Sequence, residues 1–209
     1  MLSANAGYVD CAGYLALQGL FSTHVTGNFV TLGAALVLGS SGKLAKLLAL
    51  PVFCIAVALV RIVGFALATR QPVSLTLTFC AELALLLFAA VLAIHLGPFT
   101  NGDDGMALLT GMALVSAMGI QNAVQRLHLA HMPPTTIMTG NTTQAVIDVV
   151  DVLRGGVDLE KVRGRLKATG TNIAAFAVGC AAAALAYVYL HMWCFALPPV
   201  FALLALMLR

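Results

Sequence analysis

Charged residues are scarce in this chain of 209 residues: they make up 9% of it, whereas 61% of it is hydrophobic. Soluble domains contain about 25% charged residues, so the chain lacks the charge needed to cover a soluble surface of its size. The composition excludes an ordinary soluble protein and predicts an integral membrane protein whose outer surface contacts the lipid bilayer. The formal net charge of +3 is small, which indicates basic cytoplasmic loops and no nucleic-acid partner.

Sequence signatures of catalysis and metal binding are missing as well. The chain contains no nucleophile elbow, P-loop or dinucleotide-binding motif. Its five cysteines are scattered through apolar stretches, and no two have the spacing of metal ligands. We therefore predict that the protein is not an enzyme and that it uses no cofactor or metal ion.

Six apolar stretches have lengths suited to membrane helices, at residues 7–22, 49–69, 75–96, 105–124, 168–190 and 192–208. Two shorter apolar stretches, at 29–39 and 142–153, each follow a copy of the tripeptide Thr-Gly-Asn. The predicted fold class is therefore all-α: a polytopic helical membrane protein in which residues 1–209 form a single membrane domain.

The two Thr-Gly-Asn tripeptides belong to a longer match. STHVTGN at 22–28 aligns with TTIMTGN at 135–141, and upstream Gly7 and Asp10 align with Gly119 and Asn122. This pattern predicts two sequence-related halves, residues 1–100 and 101–209, each with about three spans and one short broken or re-entrant helix. Three crossings per half give inverted repeats and four give parallel repeats; we favour inversion, because two half-helix starts then converge near the middle of the membrane.

The tripeptides are suited to helix starts inside the membrane. Thr and Asn cap helix N-termini, and Gly permits an unwound backbone. A helix start carries unbonded N–H groups and a partial positive charge, which favour an anion or a polar solute. The predicted substrate-binding residues are Thr26, Gly27, Asn28, Thr139, Gly140 and Asn141, together with the intramembrane polar residues Asp10, Gln121 and Asn122. The alternative is that the tripeptides are plain helix caps at the membrane surface.

Polar residues continue beyond the second tripeptide only. Asn141, Gln144, Asp148 and Asp151 share one face of a helix, so we predict a polar path along Gln144 and Asp148. A helix lying at the cytoplasmic surface is the alternative.

Arg61 and Glu82 are charged residues deep within consecutive apolar stretches joined by a turn at 70–73. Each is about 16 Å from the turn at ~1.5 Å per helical residue. Equal depth predicts an intramembrane ion pair between them, because pairing lowers the cost of placing two charges in lipid surroundings.

The segment 154–167 contains five of the eleven Lys and Arg residues. Cytoplasmic loops of membrane proteins carry an excess of these residues, so we predict that this segment is cytoplasmic.

The stretches AGYVDCAGYLALQGLFSTHVTGNFVTLG, MGIQNAVQR and PPTTIMTGN resemble the YoaK family of membrane proteins, also called DUF1275. The likeness covers essentially the whole chain. It implies a small multi-pass protein of the bacterial inner membrane, and it implies no particular substrate or reaction.

These observations predict a transporter for a small solute, an anion or a polar metabolite, that binds near the two helix starts. Two alternatives stay open: a channel with the same polar lining, and a membrane scaffold or regulatory protein in which the tripeptides are structural. A homodimer is one assembly that fits the transporter interpretation.

Overall fold

The computed structural model describes residues 1–67, 71–130, 132–155 and 158–207. The predicted spans and turn include residues 68, 69, 70 and 208, which lie outside this part, and so do residues 156 and 157 of the basic segment. The described part contains eight α-helices, one 3₁₀ helix (His191–Ala196) and no strand. The α-helices are α1 (Leu2–Ala16), α2 (Gly27–Leu38), α3 (Lys43–Ala66), α4 (Gln71–Leu96), α5 (Gly105–His128), α6 (Met138–Arg154), α7 (Leu159–Leu190) and α8 (Leu197–Met207).

Four helical stretches are long and apolar enough to cross a membrane: Lys43–Ala66, Leu75–Leu96, Gly105–His128 and the continuous Leu159–Met207. Large apolar side chains on the outside of α3, such as Ile55 and Phe65, are more than half exposed, as expected of a surface that contacts lipid. The prediction of an all-α, polytopic membrane protein is confirmed.

The two predicted halves are interlocked rather than side by side. In each half the first helix packs against the third helix of the other half, so α1 contacts α7 and α5 contacts α3. The short second helices, α2 and α6, pack against the third helix of their own half. The fourth helices pack against the first helix of the opposite half, α4 against α5 and α8 against α1. The core is therefore built jointly by both halves.

The first helices of the two halves run in opposite directions. Gln121 Nε2, near the end of α5, donates a hydrogen bond to the carbonyl of Leu2 at the start of α1. Gln18 Nε2, just after α1, donates to the carbonyl of Phe99, just before α5. The start of each helix thus lies beside the end of the other, which is the arrangement expected of inverted halves.

The first helix is placed differently from the predicted span at 7–22. It begins at Leu2 and ends at Ala16 although apolar sequence continues. Gln18 and Gly19 have φ angles of 56° and 81°, a left-handed conformation that terminates a right-handed helix. Residues 17–26 consequently leave the helix and fold back along it, where Thr23 Oγ1 donates to the carbonyl of Ala6.

The short helices also begin earlier than the apolar pattern alone predicts. α2 starts at Gly27 and has 12 residues; at ~1.5 Å per residue it is too short to cross a hydrocarbon core of about 30 Å. α6 starts at Met138, shortly after Pro133 and Pro134. Both fit the predicted short helix of each half.

The start of α3 depends on a residue from the other half. The Asp103 carboxylate accepts hydrogen bonds from the N–H groups of Lys43 and Leu44, at 3.0 and 2.8 Å, and from those of Gly42 and Ala45. A carboxylate in this position satisfies the unbonded N–H groups and interacts favourably with the helix dipole. This cap explains why α3 begins at Lys43, six residues before the predicted span.

The contact between α1 and α7 predicts that two glycines of α7 respond differently to substitution. A Cβ atom on Gly179 would overlap the backbone of Ala4, whereas a Cβ on Gly170 in the same helix meets nothing within 4 Å. We expect Gly179→Ala to destabilise the protein by about 1–3 kcal/mol through overpacking. Gly170→Ala should be neutral or stabilising by up to about 1 kcal/mol. Thermal unfolding of both variants in detergent checks this, and equal behaviour would contradict the close α1–α7 contact.

Candidate functional site

Each asparagine of the two tripeptides anchors the loop that precedes it. The N–H of Phe21 donates to Asn28 Oδ1 at 2.9 Å, and Asn28 Nδ2 donates back to the carbonyl of Phe21 at 2.7 Å. In the second half Asn141 Nδ2 donates to the carbonyl of Pro134 at 2.7 Å. Phe21 and Pro134 both lie seven residues before their asparagine. The second half lacks the reciprocal bond because proline has no N–H group.

Asp10 holds the first loop against α1. Its Oδ1 accepts hydrogen bonds from the N–H groups of Ser22 and Thr23, at 2.9 and 2.7 Å. Its Oδ2 lies 2.7 Å from Nδ1 of His24. The carboxylate therefore satisfies backbone groups of a non-helical segment, which is what such a segment requires at membrane depth.

Asn122 and Gln121 hold the second loop in an equivalent way. Asn122 Oδ1 accepts a hydrogen bond from Thr136 Oγ1 at 2.6 Å, and Gln121 Nε2 donates to Thr135 Oγ1 at 3.2 Å. In the alignment of the halves Thr136 corresponds to Thr23, so both first helices bind the same position of their loops. Here the contact is made through a hydroxyl group rather than through backbone N–H groups.

The two loops face one cavity of about 610 Å³. Thr26 from the first tripeptide and Thr139 from the second both line it, so residues at the two helix starts border one space. Its lining comes from two loops and from α3 and α5: Thr23, His24, Val25, Thr26, Leu50, Phe53, Val57, Arg61, Asn122, Ala123, Arg126, Leu127, Thr136, Ile137, Met138 and Thr139.

Several predicted substrate contacts lie behind the cavity wall instead. Asn28 is 1% exposed and both polar atoms of its side chain are bonded to Phe21. Gly27, Gly140 and Asn141 are outside the lining as well, and Asp10 and Gln121 act through the loops that they hold. Of the nine predicted substrate-binding residues, Thr26, Thr139 and Asn122 line the shared cavity.

Positive charge dominates the cavity. The two arginines Arg61 and Arg126 line it together with His24, and no acidic side chain belongs to the lining. The hydrogen bond to Asp10 raises the pKa of His24 above its ordinary value of 6.5, although burial opposes the shift. The guanidinium of Arg61 lies over the ring of Phe65, 4.0 Å from its centroid. The site therefore favours a negatively charged occupant.

The predicted ion pair between Arg61 and Glu82 is wrong. Arg61 points into the cavity and stacks on Phe65, whereas Glu82 is fully buried and neither of its oxygens has a hydrogen-bond partner. The ion pairs in the described residues are His24–Asp10 and Arg165–Asp148. Equal distance from the turn gives two residues of a hairpin the same depth. It does not determine the direction in which each side chain points around its helix axis.

Asp148 of α6 forms a contact with Arg165 of α7, and Gln144 of α6 bonds to the same carboxylate. Gln144 Nε2 donates to Asp148 Oδ1 at 2.8 Å, and Arg165 Nε donates to Asp148 Oδ2 at 3.0 Å. Asp148 is fully buried, so this pair ties α6 to α7. In the predicted polar path along α6, the Asp148 carboxylate is bonded to Arg165. Across residues 1–67, 71–130, 132–155 and 158–207, no three His, Cys, Asp or Glu side chains are grouped as metal ligands.

A family model described as "Protein of unknown function (DUF1275)" matches residues 1–208. The chain belongs to this family. No curated protein and no solved structure matches it.

Arg126 and Thr136 are residues of this DUF1275 protein that line the site but were missed by the sequence predictions. The internal repeat could have identified Thr136, because Thr136 aligns with Thr23. No sequence signal pointed to Arg126. The residues next to it in the sequence do not distinguish an arginine at the membrane surface from one that lines a cavity.

The unequal loop anchors of the DUF1275 protein predict unequal effects of the same substitution. Asn28→Ala removes two hydrogen bonds and leaves part-buried backbone groups of Phe21 unpaired, whereas Asn141→Ala removes one bond to Pro134. At about 1 kcal/mol per bond, with a larger cost for groups left unpaired, Asn28→Ala should be more destabilising by about 1–2 kcal/mol. Unfolding midpoints in detergent provide the measurement. Equal losses would show that the reciprocal bond to Phe21 does not contribute.

The His24–Asp10 contact of the DUF1275 protein predicts a pH dependence. Because folding raises the pKa of His24, its stabilisation is present below the ordinary pKa and is lost as pH rises through the raised pKa. The difference in Tm between wild type and His24→Gln should therefore shrink from about pH 5 to about pH 9. The control His95→Gln removes an exposed histidine that lies outside the cavity. A wild-type advantage over His24→Gln that grows with pH would contradict the account.

Proposed function

We propose that this protein transports a small organic anion across the membrane, and that the anion binds in the shared cavity. One observation carries the proposal: Thr26 and Thr139, from the two helix starts, line the same cavity as Arg61 and Arg126. Transporters place substrate where discontinuous helices of two repeats meet.

The charges of the lining support an anion, and a carboxylate in particular. Arg61 and Arg126 present planar guanidinium groups that match a carboxylate through paired hydrogen bonds. His24 also lines the cavity, and its positive charge when protonated is paired with the Asp10 carboxylate. The hydroxyl groups of Thr26 and Thr139 supply neutral donors of the kind that fix the orientation of a ligand.

The remaining walls support an anion with an apolar body. Leu50, Phe53 and Val57 of α3 form one wall, and Leu127, Ile137 and Met138 line the rest. Such a surface would bind a short hydrocarbon chain or ring by excluding water. A strongly hydrated inorganic anion would gain little from these contacts. We therefore infer a small carboxylate that carries an aliphatic or aromatic group.

The attachment of the loops supports transport rather than static binding. Each loop is bonded to the first helix of its own half, through Asp10 or through Asn122. Each first helix packs against the third helix of the other half. Relative movement of α1 against α5 would therefore carry the two loops with their helices and open the cavity alternately to either side.

The positive-inside rule supplies an orientation. Arg154 and the basic residues at the start of α7 lie at the end of the bundle where α5 finishes. We propose that this end faces the cytoplasm of a bacterial cell and that the protein resides in the inner membrane.

A flux assay tests the proposed function. Purified protein in liposomes should take up one or more radiolabelled monocarboxylates with saturation. Arg126→Gln or Arg61→Gln should lower kcat/KM by about tenfold or more, because each loses hydrogen bonds between charged groups. Arg163→Gln removes the same charge from an exposed residue outside the cavity and should retain activity.

The alternatives give different results in the same assay. Flux that rises without saturation would indicate a channel. Absence of flux for every carboxylate, from protein that is folded and correctly inserted, would contradict transport and favour a scaffold or regulatory role.

A further inference from the structure

A second cavity, of about 520 Å³, lies beside the first at the end of the bundle where α7 begins. It is enclosed by the end of α5, the segment before α6, the first turns of α6 and the start of α7. Its lining residues are Arg126, Met132, Pro133, Pro134, Ile137, Gly140, Asn141, Gln144, Lys161, Arg165, Ala168 and Thr169. Arg126 and Ile137 belong to both cavities, so the two spaces are adjacent.

Three cationic side chains line this second cavity, and two of them lack an acidic partner. Arg165 is bound by Asp148, and the negative charge of Asp151 acts on it as well. Neither Arg126 nor Lys161 forms an ion pair within the part of the chain that the structure describes. No acidic side chain lines the cavity. The space therefore retains about two uncompensated positive charges.

The neutral polar groups of the cavity are already engaged. Asn141 Nδ2 donates to the carbonyl of Pro134, Gln144 Nε2 donates to Asp148, and Thr169 Oγ1 donates to the carbonyl of Arg165. Recognition of an anion would consequently depend mainly on the charges of Arg126 and Lys161.

We propose that the second cavity binds a phosphate group between Arg126 and Lys161. Two free cations match the charge of a phosphate, and Arg and Lys are the side chains that most often bind it. The phosphate belongs either to a soluble anion or to the headgroup of an acidic phospholipid. Basic pockets between membrane helices on the cytoplasmic side bind such headgroups. This site differs from the carboxylate site, because Lys161 lines the second cavity alone and Arg61 lines the first alone.

Two binding measurements on the full-length protein in detergent test the proposal and separate the two sources. Calorimetric titration with inorganic phosphate detects a soluble ligand. Native mass spectrometry from mixed micelles of phosphatidylglycerol and phosphatidylcholine detects selective retention of the acidic lipid. Saturable phosphate binding assigns the site to soluble phosphate, and retention of phosphatidylglycerol alone assigns it to a headgroup; either result supports the site.

The variants locate the site. Lys161→Gln should weaken the binding that is observed by about tenfold, because it removes one of the two free charges. Arg163→Gln, two residues along α7 and with the same loss of charge, should stay within about twofold. Arg61→Gln changes only the first cavity and should bind the phosphate group as wild type does. The outcome of the transport assay therefore does not decide this test. Absence of binding in both measurements, or equal weakening by Lys161→Gln and Arg163→Gln, would overturn the proposal.

Discussion

The hydrogen bonds that the N–H groups of Ser22 and Thr23 donate to the Asp10 carboxylate hold an unwound segment inside a helical bundle. Lipid offers no partners to exposed backbone groups, so a broken helix is stable at membrane depth only where protein or enclosed water satisfies them. The second half holds its loop through the hydroxyl of Thr136, which donates to Asn122, and through the Asn141 amide, which donates to the backbone carbonyl of Pro134. The tripeptide asparagines complete both loops from the other side. The shared cavity exists because these contacts keep two loops from closing into continuous helices.

The sequence predicted the features that repeat and the features that depend on composition. Scarce charge identified the membrane as the surroundings of the protein, and two aligned tripeptides predicted two short helices with starts that face a common space. Thr26 and Thr139 do line one cavity. Local hydropathy could not locate the end of α1, because apolar residues continue on both sides of the left-handed Gln18 and Gly19.

Contacts between residues of different helices were the hardest to predict. Asp103 caps the start of α3, which lies 58 to 61 residues earlier in the chain. Sequence spacing does not indicate such a contact. Arg165 forms an ion pair with Asp148. The helical periodicity of α6 alone places Asp148 on a polar face and does not show this partner. Arg61 and Glu82 show the converse: equal depth suggested a pair, but the rotation of each helix turns Arg61 to the cavity and Glu82 to the core. Direction around a helix axis is set by tertiary packing, which a single hairpin does not determine.

The central claim is that the two helix starts face each other across one cavity, and cross-linking tests it most directly. Thr26→Cys and Thr139→Cys would be combined in a chain whose five native cysteines are replaced by alanine, and treated in membranes with a short bifunctional thiol reagent. Leu38→Cys with Thr139→Cys is the matched control, since Leu38 lies at the far end of α2. The account predicts an intramolecular cross-link between positions 26 and 139 and little between 38 and 139. Failure of the first pair to cross-link, or equal cross-linking of both pairs, would contradict a shared site.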